Sequence, residues 1–320
     1  MTRAISHPPH QPLTVPDRGM HHGRAHVFEP EDLDALNFAL AAQRPLLLRG
    51  EPGTGKSQIA EAAAAALGCP MVARTIDART ESRDLLYEID FVLRLAEAQL
   101  EGAIHGADLD ALREKLSLPH FTRPGPLWWA FDWRSADALK LKARPPVPTT
   151  NWQPGQGCVV LLDEIDKAEA DLPNGLLEAL GHGCFSDPAG NEIATRGEPP
   201  LVIVTSNDER ELPDAFVRRC LVHTLRLPAE RDAFVEFVAV RGAAHFPQLE
   251  DAVRRDAAGM LWDDRQACTS ARPGLAEYLD VLRVLGKQGK KQQRDALERV
   301  RRYSFAKFAA PSAGQAPSES

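Results

Sequence analysis

Eight consecutive residues, Gly50, Glu51, Pro52, Gly53, Thr54, Gly55, Lys56 and Ser57, have the types and spacing of a phosphate cradle, G-x-x-x-x-G-K-S. Glycines let backbone N–H groups turn inward around an anion, and a helix opening behind them aims its positive end at the same point. Lys56 offers a point charge to the β and γ phosphates, and Ser57 a hydroxyl to Mg²⁺. With Gln58, these residues are the candidate nucleotide-binding set. A second pair of residues suits the same chemistry. The apolar run "CVVLL" at 158–162 ends in Asp163 and Glu164. Two acids after a strand often mark only the start of a loop. Behind a phosphate cradle they read as a Walker B element, with Asp163 holding Mg²⁺ and Glu164 acting as base toward the attacking water.

These groups need elements to place them. "PLLLR" at 45–49 reads as a strand entering the cradle, and Ser57 to about Leu67 as the helix leaving it, stopped by Gly68. A first helix is expected at 29–42, with Pro30 in its first turn and Leu33, Leu36 and Leu40 at helical spacing. Further strands are expected at 71–76, at 158–162, at 201–207 and in "LVHTLRL" from 221. A helix at 169–181 precedes a hairpin at 184–197, where Asp187, Pro188, Gly190 and Asn191 form the turns. Asn207, at the tip of its strand, is placed either to orient a lytic water or to cap the loop. A short helix at 212–220 ends in Arg218 and Arg219. That pair either complements the helix dipole or reaches a neighbouring subunit's γ-phosphate.

Five strands alternating with helices, then helices alone, predict an α/β fold, an αβα sandwich on a parallel five-stranded sheet followed by a small α-helical lid. The expected divisions are a disordered arm at 1–24, a nucleotide-binding domain at 25–227, a lid at 228–308 and a disordered tail at 309–320. The arm is proline- and histidine-rich, and its histidines (His7, His10, His21, His22 and, just beyond, His26) fit no ligand spacing. The stretch from 77 to 102 is charged and helix-prone, with one face exposed. Residues 119–157 carry seven prolines and four of the five tryptophans and read as a Pro/Trp-rich insertion; about half of those aromatics are expected in the core. "GPLWWAF" at 125–131 is expected to start a short helix under the sheet. The lid's stripe is Leu275, Tyr278, Leu279, Leu282 and Leu285, and the basic run at 283–307 is either a solvated face or a dock for an acidic partner.

Composition narrows the partners. A net charge of −7 argues against a broad nucleic-acid surface. The five cysteines are scattered, with no C-x-x-C, so neither a disulfide framework nor a zinc site is suggested, and reduced thiols in a cytoplasm fit best. No apolar run is long enough to span a membrane, and the N-terminus shows no apolar signal region.

The order of motifs is cradle, Asp-Glu, strand-end Asn, Arg-Arg and then "SAR" at 270–272. This order resembles the AAA+ ATPases, and within them the MoxR branch close to the dynein-related ATPases. The matches are "GEPGTGKS", "GPLWWAF" ahead of "VVLLDEIDKAEADLPNGLLEAL", the hairpin before "VIVTSN", and "LPDAFVRRC". The likeness covers about residues 26–286. It implies that Lys56 and Ser57 are Walker A residues, that Asp163 and Glu164 are the Walker B pair, and that Asn207 is sensor 1. It selects Arg219 as an arginine finger in trans, although Cys220 stands where an aromatic is usual and Arg218 is also basic. Arg272 becomes the sensor 2 arginine. The cofactors implied are ATP and Mg²⁺, with no N-K-x-D signature for guanine. The implied assembly is a self-associated ring, a hexamer, that remodels a protein client beside a von Willebrand factor A partner. The alternative is a nucleotide-driven machine on nucleic acid, like the McrB-type motors or the clamp loaders. A third reading is a non-enzymatic nucleotide switch, against which the intact Asp163-Glu164 pair argues.

Overall fold

A computed structural model describes residues 3–16, 24–103, 109–148, 151–169, 171–268 and 272–305. The chain divides into two compact units. The first comprises Met1–Pro9, Glu29–Arg49 and Ser57–Thr224; the second comprises His10–Phe28, Gly50–Lys56 and Leu225–Ser320.

The first unit is built on a sheet of five parallel strands: β1 (Leu46–Arg49), β2 (Met71–Thr75), β3 (Val159–Asp163), β4 (Leu201–Ser206) and β5 (Leu221–Thr224). They lie in the order β5-β1-β4-β3-β2. Parallel strands covered on both faces read as unbroken apolar runs, and the whole of β4 is buried, as is β3 up to Asp163. Around the sheet run α1 (Pro30–Ala42), α2 (Lys56–Ala66), α3 (Asp171–His182) and α4 (Asp214–Arg219). Pro30 opens α1, and the Asp32 carboxylate closes its first turn by accepting from the Glu29 N–H at 2.9 Å.

Between β2 and β3 the chain departs from a simple connection. Short strands Tyr87–Ile89 and Thr122–Pro124 pair antiparallel and enclose the helices Phe91–Ala103 and Leu109–Lys115. The expected exposure of one face is present: Phe91, Val92, Leu95 and Leu100 are exposed. The tryptophans of the proline- and tryptophan-rich stretch are more deeply buried than expected, while its residues 138–148 stay at or near the surface. Trp128, Trp129, Trp133 and Trp152 are all in the core, not half of them. The reason is mutual packing. Trp133 takes the edges of both Trp129 and Trp152 at 4.8 Å between ring centres. Trp128 and Trp152 find partners for their indole N–H groups in Ser135 Oγ and the Gly157 carbonyl.

The helix Pro126–Phe131, which forms where the sequence suggests, also seats the hairpin. Hairpin strands Cys184–Ser186 and Glu192–Ala194 pair antiparallel. Phe185 meets Trp128 edge-on at 5.6 Å, and the Arg196 N–H donates to the Phe131 carbonyl at 2.8 Å. Asp187 holds the turn by accepting from the N–H groups of Ala189 and Asn191.

The second unit is a helical lid with an added strand pair. Helices α5 (Arg231–His245), α6 (Asp251–Ala267), α7 (Leu275–Leu285) and α8 (Gln293–Ser304) close on a core that includes Phe234, Leu261, Tyr278, Leu282 and Phe305. Leu279, expected in the stripe, is only partly buried against it. Part of the arm expected to be disordered is held in place. Pro12–Val15 pairs antiparallel with Arg24–Val27, the latter lying against α5. The Arg241 guanidinium donates to the Val27 carbonyl at 3.4 Å and to the Phe237 carbonyl at 3.1 Å. Upstream, in the first unit, Ile5 is buried and exchanges two hydrogen bonds with the Asn37 amide of α1. Low apolar content concealed these contacts, because main-chain pairing and two buried residues, Ile5 and Val15, do the anchoring. His26, grouped with the arm's histidines, is buried against Phe28. His21, His22, Ser270, Ala271 and the tail from Ala310 lie outside the described residues.

Candidate functional site

In the first unit, the candidate metal and base residues converge through the strand ends. Ser57 lies in the first turn of α2, Asp163 ends β3, and Glu164 follows it. The Ser57 hydroxyl donates to Asp163 Oδ1 at 2.8 Å. A serine hydroxyl beside a carboxylate is an all-oxygen set that suits a hard cation such as Mg²⁺. Thr205 on β4, nearly fully buried, completes the arrangement. Its hydroxyl donates to Asp163 Oδ1 at 2.6 Å and accepts from the Glu164 N–H at 2.9 Å. One side chain thus fixes both acids.

The sequence reading did not single out Thr205. Two polar residues, Thr205 and Ser206, at the end of an apolar buried strand were the available signal. Replacing Thr205 with valine keeps the shape and leaves the Glu164 N–H without its acceptor. The expected result is a loss of about 1–3 kcal/mol in stability. The Mg²⁺ concentration for half-maximal turnover should also rise. Chemical denaturation and a Mg²⁺ titration check this; an unchanged Mg²⁺ requirement contradicts the positioning role.

Glu164 is in the left-handed backbone region, with φ 63° and ψ 48°. A non-glycine residue there stores local strain, which the surrounding bonds must hold. Its carboxylate meets Lys167 Nζ at 2.7 Å. That bond and the attraction of Glu164 raise the Lys167 pKa above its ordinary value. Asp166, also missed by the sequence reading, is buried, and its Oδ2 accepts from the N–H groups of Asn207 (3.2 Å) and Glu209 (3.0 Å). The loop carrying Asn207 is therefore tied to the acid-bearing turn. Asp208, beside it, is also left-handed and pairs with Arg49 at 3.4 Å.

Arg218 and Arg219 end α4 with exposed side chains, and among the described residues neither makes an ion pair. Their main chain is held from below: the Arg44 guanidinium donates to the carbonyls of Arg218, Arg219 and Cys220 at 2.5, 3.0 and 3.2 Å. Burial pushes the Cys220 thiol up to about 11. The thiol is therefore neutral at physiological pH, and Cys220 closes α4 through its backbone, its N–H donating to the Val217 carbonyl at 3.1 Å.

In the second unit, the cradle Gly50–Lys56 is folded around its own carbonyls. Lys56, largely buried, donates to the Gly50 and Glu51 carbonyls at 2.7 and 2.9 Å, and the Thr54 hydroxyl donates to the Glu51 carbonyl at 2.9 Å. Gly50 has φ +142°, and a Cβ there would stand 2.6 Å from the Leu225 carbonyl oxygen, so only glycine fits. The start of α7 closes on the loop, with the Leu275 N–H donating to the Gly53 carbonyl at 3.1 Å. Arg272, the expected sensor 2, is exposed just ahead of that contact.

The structure therefore gathers Ser57, Asp163 and Glu164 into one network, ties Asn207 to it through Asp166, and gathers Gly50–Lys56 with the start of α7. Arg218, Arg219 and Arg272 stand outside both networks as exposed cations. No helix among the described residues is long and apolar enough to cross a membrane. No curated protein matches the chain. The family model of the AAA domain (dynein-related subfamily) matches residues 45–220 of the 320. That span begins one residue before β1 and ends at Cys220, one residue short of β5, so it takes in four of the five strands, the cradle, both acids and the paired arginines. By that match the chain belongs to the dynein-related subfamily of AAA ATPases.

Proposed function

We propose that this protein is a Mg²⁺-dependent ATPase that hydrolyses ATP at the boundary between subunits of a ring and uses the cycle to remodel a protein client. The observation that carries the reading is the 2.8 Å bond between Ser57 Oγ and Asp163 Oδ1, with Glu164 next in the chain. A hydroxyl and a carboxylate held together in this way support the reading, because a Mg²⁺–nucleotide complex takes hard oxygen ligands of these two kinds. Bound there, Mg²⁺ would neutralise charge on the phosphates.

The chain's own residues supply the rest. Lys56 leaves its carbonyls for the phosphates. Glu164 accepts the proton of the attacking water, Asn207 orients that water, and Arg272 meets the γ-phosphate from the lid. Arg219 of an adjacent subunit completes the charge compensation, with Arg218 as the other candidate. Hydrolysis is then read out as movement of the lid and of the 184–194 hairpin, which is seated on the tryptophan cluster.

A hexameric ring, a von Willebrand factor A partner and a cytoplasmic setting complete the reading. They rest on the likeness of the motifs to the MoxR branch and, for the setting, on five free thiols. Against the nucleic-acid reading, four cations of the basic C-terminal run, Arg283, Lys290, Arg294 and Arg301, are paired with acids of the same unit. Arg301 is bidentate to Asp264 at 2.6 and 2.7 Å, and Arg294 and Lys290 meet Asp256 and Glu250.

A shared site has a direct signature. Turnover per subunit should rise steeply with protein concentration across the monomer–oligomer transition, followed together by steady-state hydrolysis and light scattering. A flat dependence would remove the intersubunit site. Stimulation by duplex or single-stranded DNA, lost in salt, would instead favour the nucleic-acid machine.

A further inference from the structure

The lid carries a second arginine that the motif reading does not use. Arg265 lies near the end of α6 and is largely buried. One arm of its guanidinium, Nη1, donates to the Pro273 carbonyl at 2.9 Å. The other arm, Nη2, is paired with the Glu51 carboxylate. Each partner adjoins a residue expected to touch phosphate. Pro273 directly follows Arg272. Glu51 belongs to the cradle, and its carbonyl is one of the two that hold the Lys56 ammonium. A buried charge is retained only where it is paired and hydrogen-bonded, so the side chain is committed to both contacts. Close approach of the backbones reinforces this: a Cβ on Gly274 would stand 3.1 Å from the Gly53 carbonyl oxygen.

We infer that Arg265 is a positioning residue that latches the cradle to the lid, setting Lys56 and Arg272 in register for one nucleotide. It touches no phosphate itself. It couples the place of α6 to the place of the Glu51 carbonyl, so a shift of the lid changes how firmly Lys56 is held. The inference rests on the ATPase reading above.

The test uses the full-length chain with mant-ADP and ATP in Mg²⁺. The two ends of the latch are broken separately by Arg265→Gln and Glu51→Gln. The second alters a half-exposed side chain and keeps the core intact, so a folding failure of the first leaves the test standing. The expected result for each is a ~5–150-fold rise in the mant-ADP dissociation rate and in the KM for ATP. The double variant should be no worse than the worse single. Arg265→Lys, which keeps the charge, should recover part of the loss. Variants that melt earlier but release mant-ADP at the wild-type rate would reduce Arg265 to a structural brace and overturn the latch. Additive losses in the double variant would do the same. A wild-type chain that takes up no mant-ADP, like a Lys56→Ala control, would overturn the ATPase reading and the latch together, whereas normal uptake with unshifted variants removes the latch alone.

Discussion

Arg219→Ala is expected to lower ATP turnover by ~10³–10⁵-fold, the worth of an arginine finger in phosphoryl transfer. Nucleotide affinity should change far less, because the finger acts on charge that develops as the γ-phosphoryl group departs. The exposed guanidinium at the end of α4 is free to serve a neighbour, and the Arg44 clamp on the carbonyls of residues 218–220 keeps that helix end rigid. The decisive form of the experiment is mixing. Arg219→Ala subunits keep an intact cradle, and Lys56→Ala subunits keep an intact finger. Either alone should be inactive, while the mixture should recover a fraction of wild-type turnover from interfaces that combine the two good halves. Rings that assemble in the mixture yet stay inactive would exclude a contribution in trans. If Arg218→Ala shows the larger loss and complements in the same way, the finger is Arg218.

Glu164→Gln should bind ATP with near-normal affinity and hydrolyse it ~10²–10⁴-fold more slowly, the usual share of a positioned general base. The amide is isosteric with the acid, so the Thr205 bond to the Glu164 N–H and the Asp163–Ser57 contact should survive. The ion pair with Lys167 is lost, so the amide should also be freer to turn. Single-turnover hydrolysis beside mant-ATP binding checks both halves. Turnover within a few-fold of wild type would remove Glu164 as the base. Weak binding with slow turnover would point instead to collapse of the strained left-handed turn at Glu164.

Much of the fold was legible from pattern. All five strands of the parallel sheet form within a few residues of their expected bounds, and three of them, β1, β3 and β4, are apolar runs that end in polar residues. The hairpin at 184–194 and the lid helix from Leu275 follow from turn chemistry and period. The misses share a cause. The expected disordered arm folds as a strand pair because short strands held by main-chain bonds leave little trace in composition. The four tryptophans are all buried because, beyond the local Trp129–Trp133 contact, Trp133 meets Trp152 across a proline-rich stretch and Trp128 meets Phe185, and no local period encodes those two contacts. Thr205 and Asp166 escaped notice because their roles lie in bonds to residues about 40 positions away in the chain.

What the sequence alone determined is the chemistry: a glycine-rich cradle with one lysine and one serine, two acids at a strand end, and two arginines at a helix end. These are local facts, set by residue type and spacing within a single loop or turn. The tertiary structure decided which groups cooperate. It placed Ser57 on Asp163 across 106 residues, hung both acids on one threonine, and paired Arg265 of the lid with Glu51 of the cradle. Hydrogen bonds and ion pairs act over about 3 Å. Distance along the chain therefore says little about which partners meet, and the packing of strands and helices sets that choice.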